Sequence, residues 1–221
     1  MTDGADTVAG SRLGRLARRA AAESVAVQER CDLCSAPIPE EHRHLLDLST
    51  RELRCACRPC SLLFDREAAA RDHHKLVPDR RLRLDDFELD DALWDELHIP
   101  VDMAFFYDDS GAGRVVAYYP SPMGATESLL GLRAWTELAQ RNPVLGELTP
   151  DVEALLVNRA RGARDQWLVP IDECFSLVGL IRTNWRGFTG GREVWDQLGR
   201  FFEQLDRRSQ PAGRSGNRKE S

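Results

Sequence analysis

The sequence predicts an α+β protein in which a small cysteine-rich module precedes an antiparallel sheet packed against helices. Three observations predict it. Five of the six cysteines fall within residues 29–72, whereas all five tryptophans fall within residues 76–206. Two Cys-x-x-Cys pairs bracket a stretch that reads as a hairpin. The tryptophan-bearing region then alternates strand pairs with amphipathic helices and offers few parallel crossovers.

Length and composition bound the organisation. A chain of 221 residues allows one medium domain, or a small domain joined to a larger one. Its hydrophobic share of 42% and charged share of 30% are ordinary for a globular protein. No apolar run approaches the ~20 residues that span a bilayer. The Arg18-Arg19 pair is followed by alanines, but Glu23, Gln28 and Glu29 interrupt the next stretch before an export-signal core forms. The expected location is the cytoplasm, where thiols stay reduced and clustered cysteines read as metal ligands or redox groups. The net charge of −6 disfavours a nucleic-acid-coating protein.

Taken in order, residues 1–28 carry too little apolar mass to fold alone and read as a flexible segment. Residues 29–75 form the cysteine module. Residues 76–206 form the α+β domain, and 207–221, rich in Gly, Ser and Arg, reads as a disordered tail. Within the larger domain, Leu76–Leu84 reads as a strand and Asp86–Leu97 as a short amphipathic helix. Val101–Asp108 and Arg114–Tyr119 flank Asp109-Ser110-Gly111-Ala112-Gly113, a hairpin signal. Glu127–Gln140 has helical spacing at Leu129, Leu132, Trp135 and Leu138, and Asn142-Pro143 ends it. Val152–Asn158 and Gln166–Val169 read as a strand pair. A helix from Asp172 to about Trp185 ends near Gly187. Another begins after Gly190-Gly191 and buries Val194, Leu198, Phe201, Phe202 and Leu205.

The pairs are Cys31-Asp32-Leu33-Cys34 and Cys57-Arg58-Pro59-Cys60. Two cysteines two residues apart can clasp one edge of a tetrahedron of donors about 2.3 Å from an ion, and two such pairs complete it. The intervening residues 35–56 slightly exceed the usual spacing of ~15–20, but lengthening a loop costs little. His44–Leu48, Ser49-Thr50 and Arg51–Ala56 supply a hairpin. Pro59 suits the first position of a helix running through Leu62, Leu63 and Phe64 to Ala70. That helix start would favour thiolates at the second pair. Knuckle, hairpin, knuckle and helix is the order of a treble-clef or zinc-ribbon-like module. The metal site is therefore assigned to Cys31, Cys34, Cys57 and Cys60, with zinc expected and iron the alternative. A closed four-sulfur shell leaves no position for water, which makes the ion structural.

Other candidates stay open. Cys55 either joins the site or is a strand residue facing away from it. His42 and His44 are either ligands or one face of a strand. His73-His74 reads as a solvated turn and Cys174 as helix packing. No Walker loop, dinucleotide fingerprint, nucleophile elbow or His-Glu-x-x-His motif occurs, so no catalytic residue is nominated. The paired acids Asp85-Asp86, Asp90-Asp91 and Asp108-Asp109 read as caps and turns. The segment 184–195, with Trp185, Phe188, Trp195 and several glycines, reads either as tight packing or as an exposed surface for a partner.

Several strings together carry a resemblance: Cys-Asp-Leu-Cys-Ser-Ala-Pro-Ile-Pro, His-Arg-His-Leu-Leu-Asp-Leu, Cys-Arg-Pro-Cys, Pro-Ile-Asp-Glu-Cys and Asn-Trp-Arg-Gly-Phe-Thr-Gly-Gly-Arg-Glu-Val-Trp. Over roughly residues 30–206 the chain resembles an uncharacterised actinobacterial family whose genes commonly lie beside those of uptake nickel–iron hydrogenases. The resemblance implies an accessory role in hydrogenase maturation, assembly or electron supply, with hydrogenase subunits or assembly factors as partners. Ser35 departs from many zinc knuckles, which carry glycine there, and this weakens the turn. The expected function is a zinc-stabilised accessory protein that binds another protein through the α+β domain. The alternatives are a rubredoxin-like iron electron carrier and a nucleic-acid-binding finger.

Overall fold

The hairpin expected between the cysteine pairs is formed by β1 (Arg43–Asp47) and β2 (Leu53–Ala56), antiparallel, with His44 opposite Cys55 and Leu45 opposite Arg54. The computed structural model describes residues 29–64, 73–187 and 189–212. Asp47 closes the hairpin turn, its Oδ1 accepting from the Ser49 hydroxyl and from the Ser49 and Thr50 N–H groups. These donors hold its carboxyl well below the usual carboxylate range. The helix expected through Ala70 begins as α1 (Arg58–Ser61) and tightens into a 3-10 turn at Leu62–Phe64. Residues 65–70 lie outside the described residues, as does the expected flexible segment 1–28. A third strand, β3 (His74–Leu76), pairs on the other side of β1 and completes a small sheet of order β2-β1-β3.

The segment 76–84, expected as one strand, is divided between two sheets. Its start closes the small sheet, while β4 (Leu82–Arg83) joins the large one. Pro78 has no N–H to give a ladder. Beyond it, Arg80 grips buried Glu153 through Nε and Nη2 at 2.9 and 3.0 Å, and Arg81 Nε reaches buried Glu173 at 2.7 Å.

The large sheet adds β5 (Met103–Asp109), β6 (Arg114–Ser121), β7 (Gly124–Ser128), β8 (Glu153–Asn158), β9 (Asp165–Pro170) and β10 (Gln210–Pro211). Its order is β10-β4-β9-β8-β5-β6-β7, antiparallel except where β10 runs parallel to β4. Helices α2 (Asp91–Glu96) and α3 (Leu132–Arg141) cover one face, and α4 (Ile171–Asn184) and α5 (Gly191–Arg208) cover the other. Alternation along the strands sorts the two cores. Phe105, Tyr107, Ala154, Leu156, Trp167 and Val169 face α4 and α5. Ala104, Phe106, Leu155, Val157 and Leu168 face α2 and α3. Because both faces are covered, β8 is buried along its whole length. The expected α+β class holds, and no helix among the described residues is long and apolar enough to cross a membrane.

Two boundaries differ from expectation. Glu127–Gln140 is not one helix, because β7 runs to Ser128 and α3 starts only at Leu132. Gly131 separates them, packed so closely that a Cβ there would lie 2.2 Å from the Glu96 carbonyl oxygen. The expected tail from Arg207 starts too early. Helix α5 continues to Arg208, and Gln210–Pro211 pairs with β4. Only residues 213–221 lie outside the described residues there.

A buried carboxylate joins two parts of the cysteine module to the large sheet. Asp151 is fully buried, and its Oδ1 accepts from Arg51 Nη1 at 2.8 Å and from the Ser110 N–H at 2.9 Å. Its Oδ2 accepts from Lys75 Nζ at 3.2 Å, and Lys75 also donates to the Pro150 carbonyl at 2.9 Å. Arg51 lies between β1 and β2 and Lys75 in β3, whereas Ser110 caps the β5–β6 hairpin. Arg51 reaches Asp109 as well. Leu46 and Val77 join the core beneath α4 and α5.

Burial raises the Asp151 carboxyl, but the Arg51, Ser110 and Lys75 bonds outweigh it and leave it depressed. A depressed native carboxyl stabilises the fold above its unfolded value of about 3.9, and that stability is lost as pH falls below it. Asp151→Asn leaves half-buried Lys75 without its carboxylate and Arg51 with Asp109 alone, and is expected to cost about 2–4 kcal/mol in urea unfolding. It should also flatten the acid limb of the stability profile below about pH 4. An unchanged acid limb would show that Asp151 does not hold the module.

Candidate metal centre

Each cysteine pair sits on a backbone turn that its neighbours dictate. In the first knuckle, Cys31 N–H donates to the Ala36 carbonyl at 2.9 Å and Ser35 N–H to the Cys31 carbonyl at 2.8 Å. An isolated bridge between Arg30 and Pro37 pins its base. In the second, Cys57 caps α1, Pro59 takes an early position, and Ser61 N–H returns to the Cys57 carbonyl at 2.9 Å. Asp32 ties the knuckles together: its N–H donates to the Cys55 carbonyl at 2.9 Å, and its Oδ2 accepts from the Cys55 N–H at 2.6 Å.

This framework brings the sulfurs of Cys31, Cys34, Cys57 and Cys60 within 4.8 Å of one another. Cys34 Sγ and Cys57 Sγ are 3.6 Å apart, close to the edge of about 3.8 Å that a tetrahedron with 2.3 Å metal–sulfur bonds requires. The four can hold a metal ion, and a tetrahedral four-sulfur set suits zinc or iron. Cys31 is buried, Cys34 is exposed and the other two are half-buried.

The protonation pattern fits a cation. Burial pushes the Cys31 thiol up, but N–H groups of Cys57, Cys34 and Leu33 outweigh that and bring it down to about 6. Hydrogen bonds with the Cys57 and Cys34 sulfurs push Cys60 up to about 12. The Ala36 amide lowers Cys34, yet contact with the Cys31 and Cys57 sulfurs leaves it raised. Without an ion, Cys31 ionises readily, whereas Cys34 and Cys60 share protons with neighbouring sulfurs. A divalent ion replaces those shared protons and relieves the mutual repulsion.

Cys55, His42 and His44 do not join this cluster. His44 stands opposite Cys55 in the hairpin, so the two side chains share one face. Donor atoms of His42, His44 and Cys55 lie within 4.8 Å of one another as a separate group. His74 is not in a solvated turn but lies in β3, with Nε2 3.6 Å from Asp47. Cys174 is fully buried in α4 and raised well above its ordinary value by that burial.

The aromatic segment is a packed turn. Gly190 adopts φ 83°, and a Cβ there would lie 2.8 Å from Val194 and 3.0 Å from the Trp185 ring. Trp185 Nε1 donates to the Gly187 carbonyl and Trp195 Nε1 to the Thr189 carbonyl. Arg161 stacks over Trp195 at 4.5 Å.

Sequence reasoning missed Asp172, whose Oδ2 lies 2.8 Å from His44 Nδ1. The string Pro-Ile-Asp-Glu-Cys signals it only in part. Once folded, that string places Asp172 against His44, Glu173 against Arg81 and Arg208, and Cys174 in the core.

A family model matches residues 30–209, and the chain belongs to that family, one of unknown function (DUF5947). No curated protein and no solved structure matches it.

Ser35 adopts φ 60°, the left-handed conformation that glycine takes without strain. Ser35→Gly is therefore expected to stabilise the metal-loaded protein by about 0.5–1 kcal/mol, read as a higher melting temperature. A lower one would show that the turn costs serine nothing.

Proposed function

We propose that this protein is a zinc-stabilised accessory protein that docks onto another protein through its α+β body. The observation that carries the reading is the convergence of four sulfurs into a closed donor set, with no position left for a reacting group. The order of knuckle, hairpin, knuckle and helix start supports a treble-clef-like module, in which metal binding and folding are coupled.

Exposed apolar residues support docking. Strand β7 lies at one edge of the large sheet, and Met123 and Leu129 beside its ends are 93% and 91% exposed. An unpaired edge flanked by such residues suits strand addition by a partner. Leu62 and Leu63, after the second knuckle, are exposed as well. The link to nickel–iron hydrogenase assembly rests on the sequence resemblance alone. A nucleic-acid role is less well supported, because Arg51, Arg80, Arg81, Arg83, Arg141 and Arg159 each pair with a carboxylate.

Elemental analysis of the purified protein should find zinc in a colourless sample. Cys34→Ser and Cys60→Ser should each release one equivalent and unfold the small sheet. Iron with colour that bleaches reversibly on reduction would instead support the electron carrier. Affinity capture from the native host should recover hydrogenase subunits or assembly factors, and Leu129→Arg should weaken that capture. Full zinc retention in both cysteine variants would overturn the ligand assignment.

A further inference from the structure

Beside the four-sulfur cluster, the hairpin carries a second set of donors with different chemistry. His42 and His44 alternate along the chain, their rings 4.7 Å apart edge to face. Cys55 projects beside His44 from the paired strand. A ligand atom of each lies within 4.8 Å of the other two. An ion bound by two imidazoles and a thiolate needs donors about 3.3–3.6 Å apart, within reach of small side-chain rotations.

The hydrogen bonds of both rings leave the same atom free. His42 Nδ1 faces the carbonyl oxygens of Pro39 and Glu40, both at 3.0 Å, with Glu29 3.5 Å away. All three are acceptors, so Nδ1 carries a proton, and the neutral ring keeps its lone pair on Nε2. That Nε2 is buried and has no hydrogen-bond partner, in a side chain only 6% exposed. An unpartnered buried lone pair is costly unless something accepts it. His44 shows the same arrangement, because its Nδ1 lies 2.8 Å from the Asp172 carboxylate. A carboxylate on the far nitrogen orients the ring and strengthens Nε2 as a ligand, the usual support behind a metal-bound histidine. Cys55 is positioned in turn by Asp32, which accepts its N–H at 2.6 Å.

We infer that His42 Nε2, His44 Nε2 and Cys55 Sγ form a second metal site for a zinc-type divalent ion, with three protein ligands and an open fourth position. The mixed nitrogen–sulfur set matches a borderline-soft ion. Three protein ligands leave room for a water or an anion. His42 and His44 both line a cleft of about 1370 Å³ between the cysteine module and helices α4 and α5, which supplies that room. Asp172 and Glu173 line the same cleft, and Asp172 Oδ1 is itself buried without a partner. It would accept a hydrogen bond from a molecule bound there. Asp172 is a positioning residue, since it acts through His44.

The test uses the full chain, stripped of metal and titrated with Zn²⁺ and with Co²⁺ as a spectroscopic probe. The wild type should bind two equivalents. His42→Gln and Cys55→Ser should each bind one, while Cys34→Ser should lose the other. Cobalt in the second site should add absorption bands at shorter wavelength than those of the four-sulfur site, and His42→Gln should remove them. Asp172→Asn should weaken only the second equivalent, by about 10–100-fold.

A measurement on the wild type covers the chance that a variant fails to fold. The second equivalent of Zn²⁺ should protect Cys55 from alkylation, read by mass spectrometry. A single equivalent in the wild type, two equivalents retained in His42→Gln, or unprotected Cys55 would each overturn the site. Loss of the four-sulfur reading alone would appear differently, as metal retained in Cys34→Ser but lost in His42→Gln.

Discussion

The carboxylate of Asp151 is the contact on which the arrangement of this protein depends. It is buried, its backbone sits at φ 69°, and its N–H donates to the Asp108 carbonyl at 2.8 Å. Its two oxygens bind the hairpin turn, the third strand of the small sheet and the β5–β6 turn together. A carboxylate that is fully buried must be compensated fully. Arg51, Lys75 and Ser110 therefore have to arrive in one geometry, and the small sheet cannot rotate against the large one without stranding a charge. The apolar contribution of Leu46 and Val77 to the main core acts in the same direction.

The orientation fixed in this way decides what the hairpin faces present. Successive residues of a strand point to opposite sides. On β1, Leu46 enters the core and His44, on the same side, meets Asp172 at the start of α4. Cys55 shares that side of β2. The strands' outer ends, by contrast, lead into the two knuckles that gather Cys31, Cys34, Cys57 and Cys60. One hairpin thus serves two donor sets, the four sulfurs at its open end and the mixed set along one face. The sequence order Cys55-Ala56-Cys57 separates them by a single residue, buried Ala56.

Much of this is legible in the chain. The spacing of the cysteine pairs identifies the four sulfurs because a two-residue gap constrains geometry locally, whatever the rest of the fold does. The β5–β6 hairpin, the β8–β9 pair and the two final helices are legible for the same reason: turn chemistry and periodicity are local signals. Asn142 ends α3 as its place before Pro143 predicts, and its side chain also holds Glu88 and Leu138. The features that sequence misplaces depend on distant partners. Nothing near Leu76 states that its strand will leave one sheet and enter another, because the reasons are Glu153 and Glu173, far along the chain. Nothing near Ser128 shows that a strand ends there, because its hydroxyl is held by the distant His98 carbonyl.

The same distinction explains why the histidines and Cys55 are ambiguous in sequence. Along the chain, Glu41-His42-Arg43-His44-Leu45 is an alternating strand, and Cys55 is one thiol among several. Two of the facts that distinguish ligands from strand residues lie elsewhere: the cross-strand register, and an aspartate on a helix more than 120 residues away. The third is local but invisible in residue types, since it is the pair of backbone carbonyls that claims His42 Nδ1. A closed four-sulfur set is a property of spacing, so sequence finds it. An open set needs a carboxylate behind its histidine and a cleft before it, and both come only from the packing of the small sheet against α4 and α5.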